Sequence, residues 1–211
     1  MLRKKDETMK LFDEWALSYD GDLKRANGPL FGYESSLHSA KQMTSSFANE
    51  IILDIGIGTG AFASMIAHAK ANVYGIDISQ KMLEECKQKH PEYELKQGTF
   101  LDNDFSDCFF DHVISSFAFH EVFPQQREEA IRNIYRMMKT DGQLLILDIM
   151  FASEAAREDA KVEIGKYWDN SEDYPIVNEL DTMLRKVGFK NIIWQQTAPC
   201  HWAFRAIKKT R

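Results

Sequence analysis

The stretch ILDIGIGTGAF, residues 52–62, runs an apolar segment into glycines at 56, 58 and 60. Ordered glycine costs more backbone entropy than any other residue, so three in five residues need a reason. They lie where a buried strand stops and helical spacing begins, which implies a bend that something approaches more closely than a side chain would allow. Two kinds of ligand fit such a bend. Gly56, Gly58 and Ala61 satisfy the dinucleotide fingerprint G-x-G-x-x-G/A, and Asp77 stands at a suitable distance to bond a ribose. Asp54 argues for the other kind. A carboxylate two residues before the first glycine would face a pyrophosphate unfavourably if it pointed inward, and it suits a cationic ligand.

Outward from that stretch, strand and helix signals alternate. IILDI is a short β-branched run and GAFASMIAHAK has helical spacing; NVYGID is a second strand and SQKMLEECKQK a helix opening on Ser79, a good N-cap. YELKQG and DHVISSF read as the third and fourth strands. PQQREEAIRNIYRMMK is the clearest amphipathic helix, with Pro124 at its entrance and TDG at its exit, and QLLILDI is a buried strand. Such alternation favours a parallel sheet covered by helices on both faces. The tail reads helix (VNELDTMLRKVGF), strand (KNIIWQQ), strand (CHWAFRAIKK), the last two pairing antiparallel at one sheet edge. The expected fold is α/β, a three-layer sandwich around a seven-stranded, mostly parallel sheet with an antiparallel last strand.

Composition narrows the function. With 211 residues and 44% apolar content the chain can bury a sizeable core. A net charge of −6 and the lack of a long basic run argue against a duplex-binding surface. MLRKKDETMK has charge but no apolar core behind it, so no signal peptide is expected, and no stretch is long and apolar enough for a membrane span. Cys86, Cys108 and Cys200 are odd in number and unpaired in spacing, which points to a reduced cytoplasm. His38, His68, His90 and His112 do not converge with acids or cysteines at ligand spacing, so no metal is assigned.

LDIGIGTG followed by GIDISQKML resembles the first two motifs of class I S-adenosylmethionine (AdoMet)-dependent methyltransferases, which bind a nucleoside carrying a sulfonium and an ammonium. FDHVISSFAFHEV, RMMKTDGQLLILD and LRKVGF continue the resemblance in order, and LFDEWALSYD is similar to the lead-in of small-molecule methyltransferases. The nearest likeness is to small bacterial methyltransferases with AFH after the fourth strand. The resemblance implies a Rossmann-like fold and AdoMet as co-substrate. Gly56, Gly58 and Gly60 would pass under it with Asp54 beside them. Asp77 would hold the ribose hydroxyls, and Ile78 and Met82 would flank the adenine. Such enzymes often read Gly-Asp where this chain has Gly98-Thr99, so the acceptor for the adenine amino group is open between Thr99, the Phe100 backbone and Asp102.

Methyl transfer is an in-line displacement that needs alignment and exclusion of water, with a general base only for a protonated acceptor. Ligands of such sheets lie beyond the carboxyl ends of strands. The loop SSFAFHEVFP is there, offering Ser116 and Phe117 to the cofactor and His120 as base or positioner. Glu121 reads as a helix-entry carboxylate. Residues 1–48 are expected to form a helical lid and substrate arm on a core of residues 49–211, with an insert at about 151–170. Tyr19 is the best candidate to close over AdoMet. Trp15, Tyr33, Phe151, Tyr167 and Trp168 are further aromatics of these segments, and His201 with Trp202 reads as packing. The expected function is methylation of a small-molecule acceptor, without nucleic-acid or membrane partners and with oligomeric state open. The alternatives are a non-catalytic protein binding AdoMet or S-adenosylhomocysteine, and an NAD-dependent oxidoreductase. The latter predicts a second nucleotide-binding half and a comparable proton relay, and no second nucleotide half can be read in the sequence.

Overall fold

The computed structural model describes residues 2–24, 27–44, 49–68 and 70–209. Seven strands form one sheet: β1 (Ile51–Ile55), β2 (Asn72–Asp77), β3 (Glu94–Gln97), β4 (Phe110–Ser116), β5 (Met138–Ile149), β6 (Phe189–Ala198) and β7 (His201–Lys208). Their spatial order is β3-β2-β1-β4-β5-β7-β6. β1 to β5 run parallel, and β7 is antiparallel to both of its neighbours. The chain builds outward from β1 to one side and then returns to β4 on the other. A crevice therefore opens beyond the carboxyl ends of β1 and β4, where open α/β sheets bind ligands.

Alternation along the central strands divides the core between the two faces. Ile52 joins one cluster, with Phe62, Ile66 and Leu83, while Leu53 and Ile55 join the other, with Ile131, Ile134, Leu180 and Leu184. The second face is covered by α6 (Arg127–Met137), which buries Ala130, Ile131, Ile134 and Met137, and by α8 (Val177–Val187), which buries Val177, Leu180, Leu184 and Val187. This i, i+3, i+4 spacing is the amphipathic stripe read from the sequence. On the first face, α5 (Gln80–Lys89) starts on Ser79, whose Oγ accepts from the Met82 amide at 3.1 Å.

Several boundaries differ from expectation. TDG does not end α6 in a loop: β5 starts at Met138, and Asp141, at φ +63°, lies in an irregularity of its pairing with β4. The lead-in divides into α1 (Lys5–Trp15) and α2 (Tyr19–Leu23), because Asp22 accepts from both Trp15 Nε1 (2.8 Å) and Ser18 Oγ (2.7 Å) and folds the chain at residues 16–18. The next helix, α3, spans Tyr33–Lys41, and α4 spans Ala61–Ile66, shorter than its predicted run. Predicted helical residues 45–47 and 69, and the boundary at 48, lie outside the described residues. The segment after β5 carries α7 (Glu154–Ile164). Among the described residues no helix is long and apolar enough to cross a membrane.

Candidate active site

The turn after β1 is fastened to the end of β2. The Gly56 and Ile57 amides both donate to the Ile76 carbonyl, at 2.8 and 3.0 Å, and the Gly58 amide donates to Asp77 Oδ2 at 2.9 Å. Gly56, Gly58 and Gly60 all have positive φ, but what confronts each differs. A Cβ on Gly56 would lie 2.3 Å from the Ala118 Cβ, and one on Gly60 would lie 2.6 Å from the His90 ring. These two glycines admit other parts of the protein. At Gly58 the nearest atom is Tyr19 Cε1 at 4.0 Å, and this glycine lines open space.

That space is a cavity of about 360 Å³ beyond the ends of β1, β2 and β4, within the range of small-molecule sites. Gly56, Gly58, Asp77, Ile78, Met82, Thr99, Phe100, Asp102, Ser116 and Phe117 line it, and Arg3, Lys5, Thr8, Phe12 and Tyr19 cover it. Two expected contacts are missing from this wall. Gly60 is turned into the α4–α5 packing, and Asp54 is buried beneath the turn, 0% exposed. Neither Asp54 oxygen completes a hydrogen bond among the described residues. Burial, with Asp77 nearby, pushes its carboxyl up to about 8. Asp77 is raised to about 6 by burial, against the pull of the Ser79 and Gly58 amides. Two buried carboxylates short of positive charge fit a cationic nucleoside better than a pyrophosphate. Asp77 spends one lone pair per oxygen on those amides, leaving capacity for ribose hydroxyls.

At the wall after β3, Thr99 Oγ1 accepts from the Leu101 and Asp102 amides, which closes the turn. Asp102 is exposed and paired with Lys5 at 3.3 Å. The arm itself is tied to the turn: Asp20 accepts from Thr59 Oγ1 and Lys89 Nζ, both at 2.7 Å, and Asp13 accepts from Ser79 Oγ at 2.5 Å.

A second cavity of about 210 Å³ adjoins the first, and Arg3, Phe12, Tyr19 and Phe117 line both. Phe117 is buried at φ +52°, a conformation that costs a bulky residue about 1–3 kcal/mol and is held here by neighbouring Tyr33 and His201 rings. His120 lines the second cavity and not the first. Its backbone amide donates to Asp148 Oδ2 (2.9 Å) and its Nδ1 to Asp148 Oδ1 (2.6 Å), which leaves Nε2 facing Glu121 and Glu172 at 3.8 Å each. Burial alone would lower the imidazole pKa, but Asp148, with Glu172 and Glu121, raises it to about 10. Glu121 is raised mainly by its own burial.

Arg3 ties these acids together, reaching Glu121 (2.7 Å), Asp169 (2.6 Å) and Glu172 (3.1 Å). His120, Glu121 and Glu172 bring ligand-capable atoms within 4.8 Å of one another. Among the described residues, the histidine that meets two acids at ligand spacing is thus His120, whereas His112, one of the four weighed from sequence, pairs with Glu50 at 3.0 Å, and a guanidinium bonds both glutamates. Asp148, Arg3, Phe12, Glu172 and Tyr174 escaped the sequence reading. Asp148 had a signal, a carboxylate inside the apolar run LLILD. The others are scattered along the chain and gave none.

An open α/β sheet with a glycine turn, a carboxylate at the next strand end and a deep crevice defines a nucleoside-binding enzyme fold. The methyltransferase-domain family model matches residues 53–146. An uncharacterized methyltransferase of Staphylococcus carnosus is 33% identical, over 83% of this chain and 82% of its own length. The chain belongs to the AdoMet-dependent methyltransferases and is an enzyme of that class, with AdoMet as its cofactor. A Thermotoga maritima SAM-dependent methyltransferase, described as a possible histamine N-methyltransferase, superposes with a TM-score of 0.73 at 20% identity, covering 95% of this chain and 99% of its own. A Haemonchus contortus phosphoethanolamine N-methyltransferase bound to S-adenosylhomocysteine gives 0.66 at 17% identity, over 84% of this chain and 53% of its own. These two likenesses are of fold.

Proposed function

We propose that the enzyme methylates a small-molecule acceptor held in the second cavity, with residues 1–48 as a lid and substrate arm. The observation that carries this reading is the pair of adjoining cavities, the smaller only about 210 Å³, divided by Tyr19 and Phe117. A compartment of that size admits a metabolite and not a folded macromolecule. AdoMet supplies an electrophilic methyl group on a sulfonium. Gly58 and Asp77 hold the nucleoside, Ile78 and Met82 flank its base, and Tyr19 with Phe117 bounds the passage to the acceptor. Asp148 fixes the His120 ring so that Nε2 faces the acceptor, where it takes a proton or orients the attacking atom. Phe12, Trp15 and Tyr19 exclude water from the passage.

A metabolite screen with methyl-labelled AdoMet, read by mass spectrometry, tests the proposal. A labelled small molecule appearing together with S-adenosylhomocysteine is the expected result. Label found only on protein or nucleic acid would refute it.

A further inference from the structure

The second cavity has a chemistry of its own, and the class of its occupant rests on that compartment being the acceptor site of a small-molecule methyltransferase. Phe12, Trp15, Tyr19, Phe117 and Tyr174 supply its aromatic walls. Aromatic faces attract cations, most strongly where water is excluded. Beside these rings, Arg3 and the imidazolium of His120 face four carboxylates: Glu121, Asp148, Asp169 and Glu172. Even with both cations counted, the cluster retains an excess of negative charge in a partly desolvated place. Such an excess is relieved by admitting a further positive charge. A second observation is His120 Nε2. Its side chain is 6% exposed on the cavity wall, and that nitrogen stands 3.8 Å from Glu121 and from Glu172, near enough for an ion pair but too far for a hydrogen bond to either. A neutral or anionic acceptor would leave the carboxylate excess unmet.

We infer that the acceptor is a small amine, taken up as its ammonium between the aromatic walls and the Glu172 and Asp169 carboxylates. With that cation among the carboxylates, His120 no longer needs to carry the compensating charge and sheds its proton to solvent. The ammonium then gives a proton to the neutral Nε2, while Nδ1–H stays on Asp148. The freed nitrogen lone pair forms the new C–N bond to the methyl carbon as the C–S bond breaks, and sulfur keeps the bonding pair. The product is a methylated ammonium and S-adenosylhomocysteine, and the imidazolium returns its proton to solvent in the next turnover.

The test uses the whole protein saturated with S-adenosylhomocysteine, titrated calorimetrically with ethylamine, 2-phenylethylamine and tryptamine. Each is run beside the alcohol and the thiol of the same carbon body, and the same probes are assayed for turnover with AdoMet. At least one amine should bind about tenfold or more tightly than its alcohol and thiol and be the member of its set that is methylated. Glu172→Gln should erase that preference while S-adenosylhomocysteine affinity stays within about twofold, and Asp169→Asn should act in the same direction more weakly. The proposal is overturned if an alcohol or thiol matches its amine, if none of the amines binds, or if both variants keep the preference. Turnover of an alcohol or thiol would leave small-molecule methylation standing and remove the amine alone. A parent protein that ignores S-adenosylhomocysteine would overturn both.

Discussion

The floor of the larger cavity is set by strand ends, the turn at Gly56 and Gly58 and the turn at 98–102, under a cover of side chains from the N-terminal arm. The smaller is shaped by side chains from residues as far apart as Arg3 and Tyr174, and its polar wall is a charge cluster assembled from four segments. The first is a rigid consequence of sheet topology, the second a product of how the arm and the segment after β5 fold over it. On the proposed function, binding of a nucleoside common to many enzymes belongs to the former, and selection of an acceptor to the latter. Substitutions should therefore separate by cavity, cofactor affinity responding in one and turnover in the other.

The largest effect is expected at His120. His120→Gln should lower kcat by about 10²- to 10⁴-fold with S-adenosylhomocysteine affinity little changed. In the parent, Asp148, with Glu172 and Glu121, outweighs burial and the opposing charge of nearby Arg3 and holds this imidazole protonated at neutral pH beside the Tyr174 ring, with a pKa raised to about 10. A base must be deprotonated, so kcat/KM should climb as pH rises from 7 toward 10. The slope should vanish in the variant, and a parent profile flat across that window would remove the proton-accepting role.

Next come the glycines, which sharpen the contrast within the larger cavity. Gly56→Ala forces a positive φ on a side chain and drives it into Ala118, so unfolding free energy should fall by about 2–4 kcal/mol. Gly58→Ala meets only Tyr19 at 4.0 Å, and should cost about 1 kcal/mol of stability while weakening AdoMet binding. Equal stability losses in denaturant titrations would refute this division of labour.

A smaller effect concerns charge. Asp54 is neutral well below its raised pKa of about 8 and charged above it. A cationic ligand favours the charged form, so AdoMet should gain on neutral-sulfur S-adenosylhomocysteine by about three- to tenfold between pH 6 and 9. Asp54→Asn should flatten that ratio, and an unchanged slope in the variant would show that Asp54 is not its source. The smallest change is expected at Asp102, exposed and paired with Lys5: Asp102→Asn should alter AdoMet affinity by about threefold at most.

How far the sequence could be read obeys the same division. β1, the glycine turn, β2 and Asp77 are contiguous in the chain, and strand–turn–helix spacing decides their geometry. The mostly parallel sheet and its antiparallel last strand followed from the alternation and from the closeness of β6 and β7 in sequence, whereas the insertion of β7 between β5 and β6 did not. Spacing could not tell which glycine is left with open space beside it, because Gly56 and Gly60 answer to Ala118 and His90, residues brought in by the fold. Nor could it turn Asp54 inward or outward, since one carboxylate at a strand end suits both. The smaller cavity was the least legible. Arg3 looks like one more charge in a polar N-terminus until Glu121, Asp169 and Glu172 close around it.

The central claim is that Asp77 tethers a sulfonium-bearing nucleoside through its sugar while holding the Gly58 amide. Calorimetric titration of AdoMet into the parent and Asp77→Asn proteins tests it most directly. The parent should bind in the micromolar range and the variant about 100-fold or more weakly, from the loss of charge-assisted hydrogen bonds worth about 1.5–3 kcal/mol each. Equal affinity in the two proteins, or a parent that does not bind AdoMet, would contradict it.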